Sequence, residues 1–223
     1  MVDKLLWQQA MTEHEDPFND AAGAHLAESS RRQYLYGWRR FLGFLTLVEP
    51  AALEIAPADR LTKECVKRFV CHLKESNTPH SVAIQVDALY KAARIMMPQL
   101  NLGWLKTIKA RLYVTAPAQG ATGPVITSLQ LLELGQQLMD ETIPRSDGPM
   151  RLADAVQYRD GLMIALLAFI PLRRKNLAAL EIDHHLVRVE DEWLVIISAE
   201  ETKTGAANEF FIPEILGPYL ATY

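Results

Sequence analysis

Ile170-Pro171-Leu172-Arg173-Arg174-Lys175-Asn176-Leu177-Ala178-Ala179-Leu180 is the stretch whose reading decides the fold. It closes an apolar run that begins near Leu162 and opens a second helical segment, with two arginines and a lysine at the join. Burying a guanidinium is costly unless an anion meets it, and its planar fork of donors matches a phosphate. The stretch therefore predicts a buried helix over about Ala153–Phe169, a turn, and a shorter helix reaching Leu180. Arg173 at that turn is a candidate anion clamp. The alternative is a structural network in which Arg173 pairs with Glu181 or Asp160.

Toward the C-terminus the period changes from helix-like to strand-like. Leu186-Val187-Arg188-Val189 and Trp193-Leu194-Val195-Ile196-Ile197 flank a Glu190-Asp191 turn, and Glu209-Phe210-Phe211-Ile212 follows a Thr204-Gly205 turn region. A small antiparallel sheet is predicted. Its second hairpin carries Glu201-Thr202-Lys203-Thr204-Gly205, which sets Lys203 at the tip, either as a functional amine or as an ordinary solvated turn lysine. Residues 213–223 read as the opening of another helix. Upstream, Thr127-Ser128-Leu129-Gln130 has capping-box spacing and leads a helix through Leu131, Leu134 and Leu138, followed by a loop with Pro144, Gly148 and Pro149.

The N-terminal half is helical in pattern. Tyr34, Trp38, Phe41, Leu42 and Leu45 recur at three- and four-residue steps after a cap at Ser29 or Ser30, with Arg31, Arg32, Arg39 and Arg40 off that stripe. Pro50 and Pro57 punctuate the loop that follows. Thr62 caps a helix to about Glu75, with Lys63, Lys67, Arg68 and Lys74 outward. Pro79 opens a third helix carrying Val82, Val86 and Leu89 inward, with Lys91 and Arg94 beside its last turns. A fourth, from Gly103 to Val114, displaces Lys106, Lys109 and Arg111 from its apolar side. Thr115 to Pro124 is uncharged and rich in small residues, glycine and proline, the clearest linker in the chain. The expected division is an acidic arm over 1–28, which is either a short helix or loose, a helical domain over 29–114, a linker over 115–126, and a second domain over 127–223.

The net charge of −4 argues against a nucleic-acid binder until its distribution is considered. Residues 29–115 hold 14 Lys and Arg against 6 Asp and Glu, whereas 1–28 hold 1 against 6 and 116–223 hold 8 against 15. A basic module between two acidic ones is what is expected when one module tracks phosphates. No apolar segment reaches bilayer length, and Met1-Val2-Asp3-Lys4 does not open a secretory signal. Cys65 and Cys71 lie six apart on a predicted helix and are expected as buried or half-buried thiols of a reducing compartment. His184-His185 is an adjacent pair without ligand spacing, and no Cys-x-x-Cys occurs, so no metal site is expected.

Pro171, Leu172, Arg173, Arg174, Lys175, Asn176 and Leu177 resemble the first catalytic arginine motif of the tyrosine recombinases, the phage-integrase family. Helix, arginine turn, helix, then a small sheet with Lys203 in its second hairpin resembles the first half of that family's catalytic domain. Ser29 through Leu42 resembles the family's Ser-x-x-Thr-x-x-x-Tyr-x-x-x-Leu-x-x-Phe pattern. The resemblance covers about residues 29–220. It implies a mainly α, α+β chain: a four-helix, SAM-like core-binding bundle followed by the first half of an integrase-type catalytic domain.

The resemblance further implies double-stranded DNA as partner, self-association on it as a tetramer in the parent enzyme, a nucleoid-associated cytoplasmic location, and no cofactor. Arg173 would neutralise phosphate oxygens, and Lys203 would protonate the 5′-oxygen leaving group. Arg31, Arg32, Arg39, Arg40, Lys67, Arg68, Lys91, Arg94, Lys106, Lys109, Arg174 and Lys175 are candidate DNA-backbone contacts. Two residues depart from the family pattern: Pro171 stands for glycine and Asn176 for an acidic buttress. No His-x-x-Arg is expected among the 50 residues that follow Arg173, and Tyr219 and Tyr223 read as core or helix-surface residues and not as the nucleophile. The expectation is thus an N-terminal fragment of a recombinase. A non-catalytic DNA-binding relative and a helical protein with an acidic partner are the competing readings.

Overall fold

The computed structural model describes residues 2–12, 22–117, 123–142 and 150–223. Phe18 of the expected arm, the centre of the expected linker at 118–122, and the loop bearing Pro144, Gly148 and Pro149 lie outside the described residues. The chain is mainly helical with one small antiparallel sheet, and it divides into two compact units, residues 1–120 and 121–223.

The first unit begins with α1 (Val2–Met11), so the start of the acidic arm is a helix. Asp3 fixes it: its carboxylate accepts from Trp38 Nε1 at 3.0 Å and pairs with the Arg60 guanidinium at 3.2 Å, while Leu6 and Trp7 pack on the core. The next helix, α2 (Glu28–Val48), starts one residue before Ser29, so the expected serine caps lie inside its first turn and no side chain caps it. Instead Arg31 donates to the Leu26 and Ala24 carbonyls just ahead of the helix.

Pro50 and Pro57 do more than punctuate a loop. Pro50–Leu53 forms a 3-10 turn, and Pro57 opens α3 (Pro57–Arg60), proline's fixed φ suiting a first helical turn. Then follow α4 (Lys63–Ser76) and α5 (Pro79–Met96): Thr62 caps the first as its sequence predicts, accepting from Cys65 N–H at 3.1 Å, and Thr78 ahead of Pro79 caps the second, accepting from Ser81 N–H at 3.3 Å. The last helix of the unit, α6 (Gly103–Thr115), extends one residue into the expected linker.

The periodic apolar residues of these helices form one core around Trp38, Phe41, Phe69, Leu73, Val86, Leu89 and Leu105. At Gly37 the backbones of α2 and α5 approach closely, since an added Cβ would stand 2.5 Å from Ala88 Cβ. Cys65 is buried and Cys71 exposed; both are free thiols, which corrects the expectation that each is at least half-buried.

In the second unit α7 (Ser128–Asp140) opens with the expected box: Thr127 Oγ1 accepts from Gln130 N–H, and Gln130 Oε1 accepts from Thr127 N–H. It lies tightly on α8 (Leu152–Phe169). An added Cβ on Gly135 would come 2.6 Å from the Gly161 carbonyl oxygen, and one on Gly161 2.7 Å from that of Gly135. Next comes α9 (Arg174–Ala178), which ends two residues short of the predicted Leu180.

The sheet is antiparallel in the order β1 (Leu186–Val189), β2 (Glu192–Ile197), β3 (Asn208–Ile212), with Val195 opposite Leu186 on one side and Phe210 on the other. Leu186, Val195, Ile197 and Ile212 are buried with Leu162, Ala165 and Leu166 of α8. A 3-10 turn leads into α10 (Gly217–Thr222), where Tyr219 O–H donates to Asp140 at 2.9 Å and the Tyr219 carbonyl accepts from Tyr158 O–H at 2.8 Å. Both C-terminal tyrosines are thus occupied in packing, Tyr223 stacking on Tyr158 with ring centroids 6.3 Å apart. No helix among the described residues is long and apolar enough to cross a membrane.

Candidate nucleic-acid interface

On a helix, residues three apart share a face. Lys91 and Arg94 on α5, and Lys106 and Lys109 on α6, form two such pairs, and the fold turns them toward one another. All four line a concave pocket of about 220 Å³, together with His25, Tyr34 and Tyr90. Asp87 at its edge binds two of them, Lys91 at 2.9 Å and also Lys109. Burial pushes the Asp87 carboxyl up, but the hydrogen bonds from Lys109 and Lys91 more than offset it and leave the group below its ordinary value. In return, Asp87 holds Lys91 above its own. The two lysine ammonium groups also lie over aromatic rings, Lys91 5.2 Å from the Tyr34 centroid and Lys109 4.9 Å from that of Tyr90. Among the described residues, four cations face one carboxylate, which leaves a surplus of positive charge in a concave site, a good setting for an anion.

The other candidate cations of this unit do not join that pocket. Arg32 pairs with Glu28 on the helix surface, Arg68 pairs with Glu49, and Arg40 donates to Asn77 Oδ1 at 3.2 Å and Tyr36 Oη at 3.3 Å. Arg31 is tied to backbone carbonyls, as described above. Arg39 and Lys67 are exposed, Lys67 beside Arg68 and His72 in a separate shallow cleft.

In the second unit, Arg173 sits at the N-cap position of α9 and is exposed, not buried at a helix junction as the apolar run predicts. Ile170, three residues earlier, is the last deeply buried position of the run. Neither expected partner engages Arg173: Asp160 is held by Arg159 at 2.8 Å, and no hydrogen bond or ion pair joins Arg173 to Glu181 among the described residues. Arg174 and Lys175 are likewise exposed.

Lys203 lies, exposed, on the connection between β2 and β3. Thr202 closes the base of its turn: the buried hydroxyl donates to the Ala199 carbonyl and accepts from Ala206 N–H, both at 3.1 Å, and Gly205 takes the left-handed φ of 69° that the turn needs. A small cleft of about 60 Å³ joins the two motifs, lined by Lys175, Asn176 and Ala179 from the arginine side and by His185, Ile197 and Glu201 from the lysine side.

That cleft contains a network the motif reading missed. His185 is buried; its Nε2 lies 2.7 Å from Glu201 Oε1, and its Nδ1 accepts from Glu181 N–H at 3.1 Å. An accepting Nδ1 requires the neutral ring to carry its proton on Nε2, which therefore donates to the carboxylate. Glu201 Oε2 accepts from Ser198 N–H at 3.0 Å and Ser198 Oγ–H at 2.8 Å, closing a capping box over the short turn. His185 foremost, then the Ser198 hydroxyl and amide, hold the Glu201 carboxyl down at about 2, well below its usual range. The Ser-x-x-Glu spacing of Ser198 and Glu201 was the signal available in the sequence.

A His-x-x-Arg spacing also passed unnoticed upstream of the hairpin, at His185-Leu186-Val187-Arg188. The fold gives it no joint site: His185 is buried against Glu201, while Arg188 pairs at 3.2 Å with exposed Asp191 across the β1–β2 turn.

Turn geometry gives the adjacent histidines the proximity that their spacing does not predict. Asp183 in a left-handed conformation, φ 63°, brings ligand atoms of Glu181, His184 and His185 within 4.8 Å of one another. Both His185 nitrogens are nevertheless already bonded within the fold, so a cation at Nδ1 would have to displace the Glu181 N–H. In comparisons with family models, curated proteins and solved structures, nothing matches this chain.

Proposed function

We propose that the chain binds duplex DNA and is a piece of a tyrosine-recombinase-like enzyme. In this reading Lys91, Arg94, Lys106 and Lys109 hold backbone phosphate in the first unit, and Arg173 and Lys203 address a phosphodiester in the second. The observation that carries it is the convergence of four cations, from two helices, in one concave pocket, within a chain whose net charge is negative. Arg173 is exposed and its side chain has no hydrogen-bond or ion-pair partner among the described residues, and this, with the cleft that joins its helix to the Lys203 loop, supports the second part.

The chemistry this implies is a transesterification. The phenolic oxygen of a tyrosine, its proton released to solvent, bonds to phosphorus, the bond from phosphorus to the 5′-oxygen breaks, and a proton passes to that oxygen from the Lys203 ammonium. Arg173 would stabilise the charge that builds on the non-bridging oxygens; its fork suits two of them at once. Asn176, at the usual acidic position, carries no charge to neutralise a neighbouring cation, so the local field would stay more positive. Duplex binding by Arg173→Ala and Lys203→Ala tests the assignment. Each variant is expected to weaken binding roughly three- to tenfold by losing one charge-assisted phosphate contact. Affinities equal to the parent's for both variants would remove the second unit from the interface.

A further inference from the structure

Glu201 and Lys203 lie two positions apart in the chain, and the bonds around Glu201 run back toward the arginine turn. Glu181 lies three positions beyond the end of α9, and its carbonyl accepts from the amides of His185 at 2.9 Å and Leu186 at 3.0 Å. Its own N–H donates to His185 Nδ1. The opposite edge of the same imidazole donates to Glu201, and Glu201 in turn gathers the hydroxyl and amide of Ser198. One buried ring therefore links the chain leaving the arginine helix to the chain entering the lysine turn. Beyond it the Thr202 hydroxyl spans Ala199 and Ala206, so the loop is tied on both sides while Lys203 points into solvent.

We infer that His185 is the positioning residue of the lysine loop: acting through Glu201, it fixes where the Lys203 amine stands relative to the turn that carries Arg173. The inference rests on the reading of Lys203 as a phosphate-facing amine. A proton donor must stand within hydrogen-bond reach of the atom it serves, and an exposed lysine on an untethered loop spends little time there. A buried, doubly bonded histidine removes that freedom at its base without using the lysine itself. Ring geometry makes the role separable from mere packing. A glutamine at 185 puts its amide N–H close to the place of Nε2 and keeps the bond to Glu201. An asparagine puts its oxygen close to the place of Nδ1, keeping the bond from Glu181 N–H and losing Glu201.

The test compares His185→Gln and His185→Asn in the full chain, each with and without Lys203→Ala. It reads ¹⁵N order parameters of the Lys203–Ala206 amides and the dissociation constant for a duplex at 50 mM salt. His185→Asn is expected to lower the order parameters from the rigid range near 0.85 toward 0.6 and to weaken duplex binding as much as Lys203→Ala does, roughly three- to tenfold. Adding Lys203→Ala to it should then cost nothing further, while His185→Gln should stay within about twofold of the parent. Loop amides as ordered in His185→Asn as in the parent would overturn the inference, whatever the DNA result. If the loop loosens but Lys203→Ala leaves duplex affinity unchanged, the reading of Lys203 fails and the hold of His185 on the loop stands. Should His185→Asn fail to fold, Glu201→Leu breaks the same tie from its partly exposed end and carries the same readouts.

Discussion

Replacing Asp3 by asparagine tests how the N-terminal helix is held to the first unit. The Arg60 side chain is 3% exposed and that of Asp3 19%, so their pair is screened by almost no water. Arg60 gives one terminal nitrogen to both Asp3 oxygens and the other to the Ile55 carbonyl at 2.8 Å, while its buried Nε has no partner among the described residues. Asparagine is isosteric and its Oδ1 leaves Trp38 Nε1 an acceptor, but the change removes the charge and sets an –NH2 donor where the second oxygen accepts from Arg60. Stripping one partner from a buried pair costs about 3–5 kcal/mol, because the remaining ion is stranded. Here α1 is terminal and can lift to let water reach Arg60, which places the expected loss near 3 kcal/mol.

Urea unfolding followed by tryptophan fluorescence, which reports Trp7, Trp38 and Trp104 in this unit, measures it. At a slope of about 2 kcal/mol/M the midpoint should fall by about 1.5 M. The paired change Asp3→Leu with Arg60→Met should recover only part of the loss, since apolar replacement of a buried pair is often neutral but here leaves Trp38 Nε1 and the Ile55 carbonyl without these partners. A shift below about 0.25 M for Asp3→Asn would refute the reasoning, showing that Arg60 is hydrated in the parent protein.

Three further outcomes are expected. Gly161→Val forces a side chain against the Gly135 carbonyl and Leu138 of α7, and it should destabilise the second unit by about 1–3 kcal/mol or more; calorimetry showing an unchanged melting temperature would contradict the close approach of α7 and α8. Because the Glu201 carboxyl is depressed in the folded state, its contribution is fully present above the ordinary value of 4.5 and is lost as pH falls toward about 2. The stability gap between the parent and Glu201→Gln should therefore be constant from pH 7 to 5 and narrow below it; a gap unchanged down to pH 2 would sever the link to ionisation. Arg94→Gln with Lys106→Gln removes the two pocket cations not bound by Asp87, and should reduce the salt slope of duplex binding by about 1.8, at about 0.9 per phosphate contact.

Local signals were legible in the sequence wherever a single element decides them. Threonine caps at 62 and 127 and the three strands follow from spacing and side-chain chemistry within a few residues. The start of α2 escaped because its end is secured by Arg31 reaching back to carbonyls, not by a serine. Asp3 and Arg60 are 57 residues apart, and no local pattern announces their pairing.

The candidate site divides in the same way. Lys91 with Arg94, and Lys106 with Lys109, are readable as helix faces, but their meeting in one pocket depends on how α5 packs on α6. Arg173 was placed correctly at the turn, yet its exposure was misjudged, because the apolar run loses its burial between Ile170 and Arg173. His185 reads in the sequence as half of an adjacent histidine pair, since its partner Glu201 lies 16 residues away across two strands and the turn between them.

The central claim is that the concave cation cluster holds DNA phosphates, and a salt titration of duplex binding by the intact chain tests it most directly. A net surplus of three positive charges in the pocket among the described residues, with Arg173 beside a further phosphate, gives a slope of about −3 to −4 in log affinity against log salt, a loss of about 10² between 50 and 200 mM. Absence of duplex binding at 50 mM, or binding that does not change with salt, would contradict it.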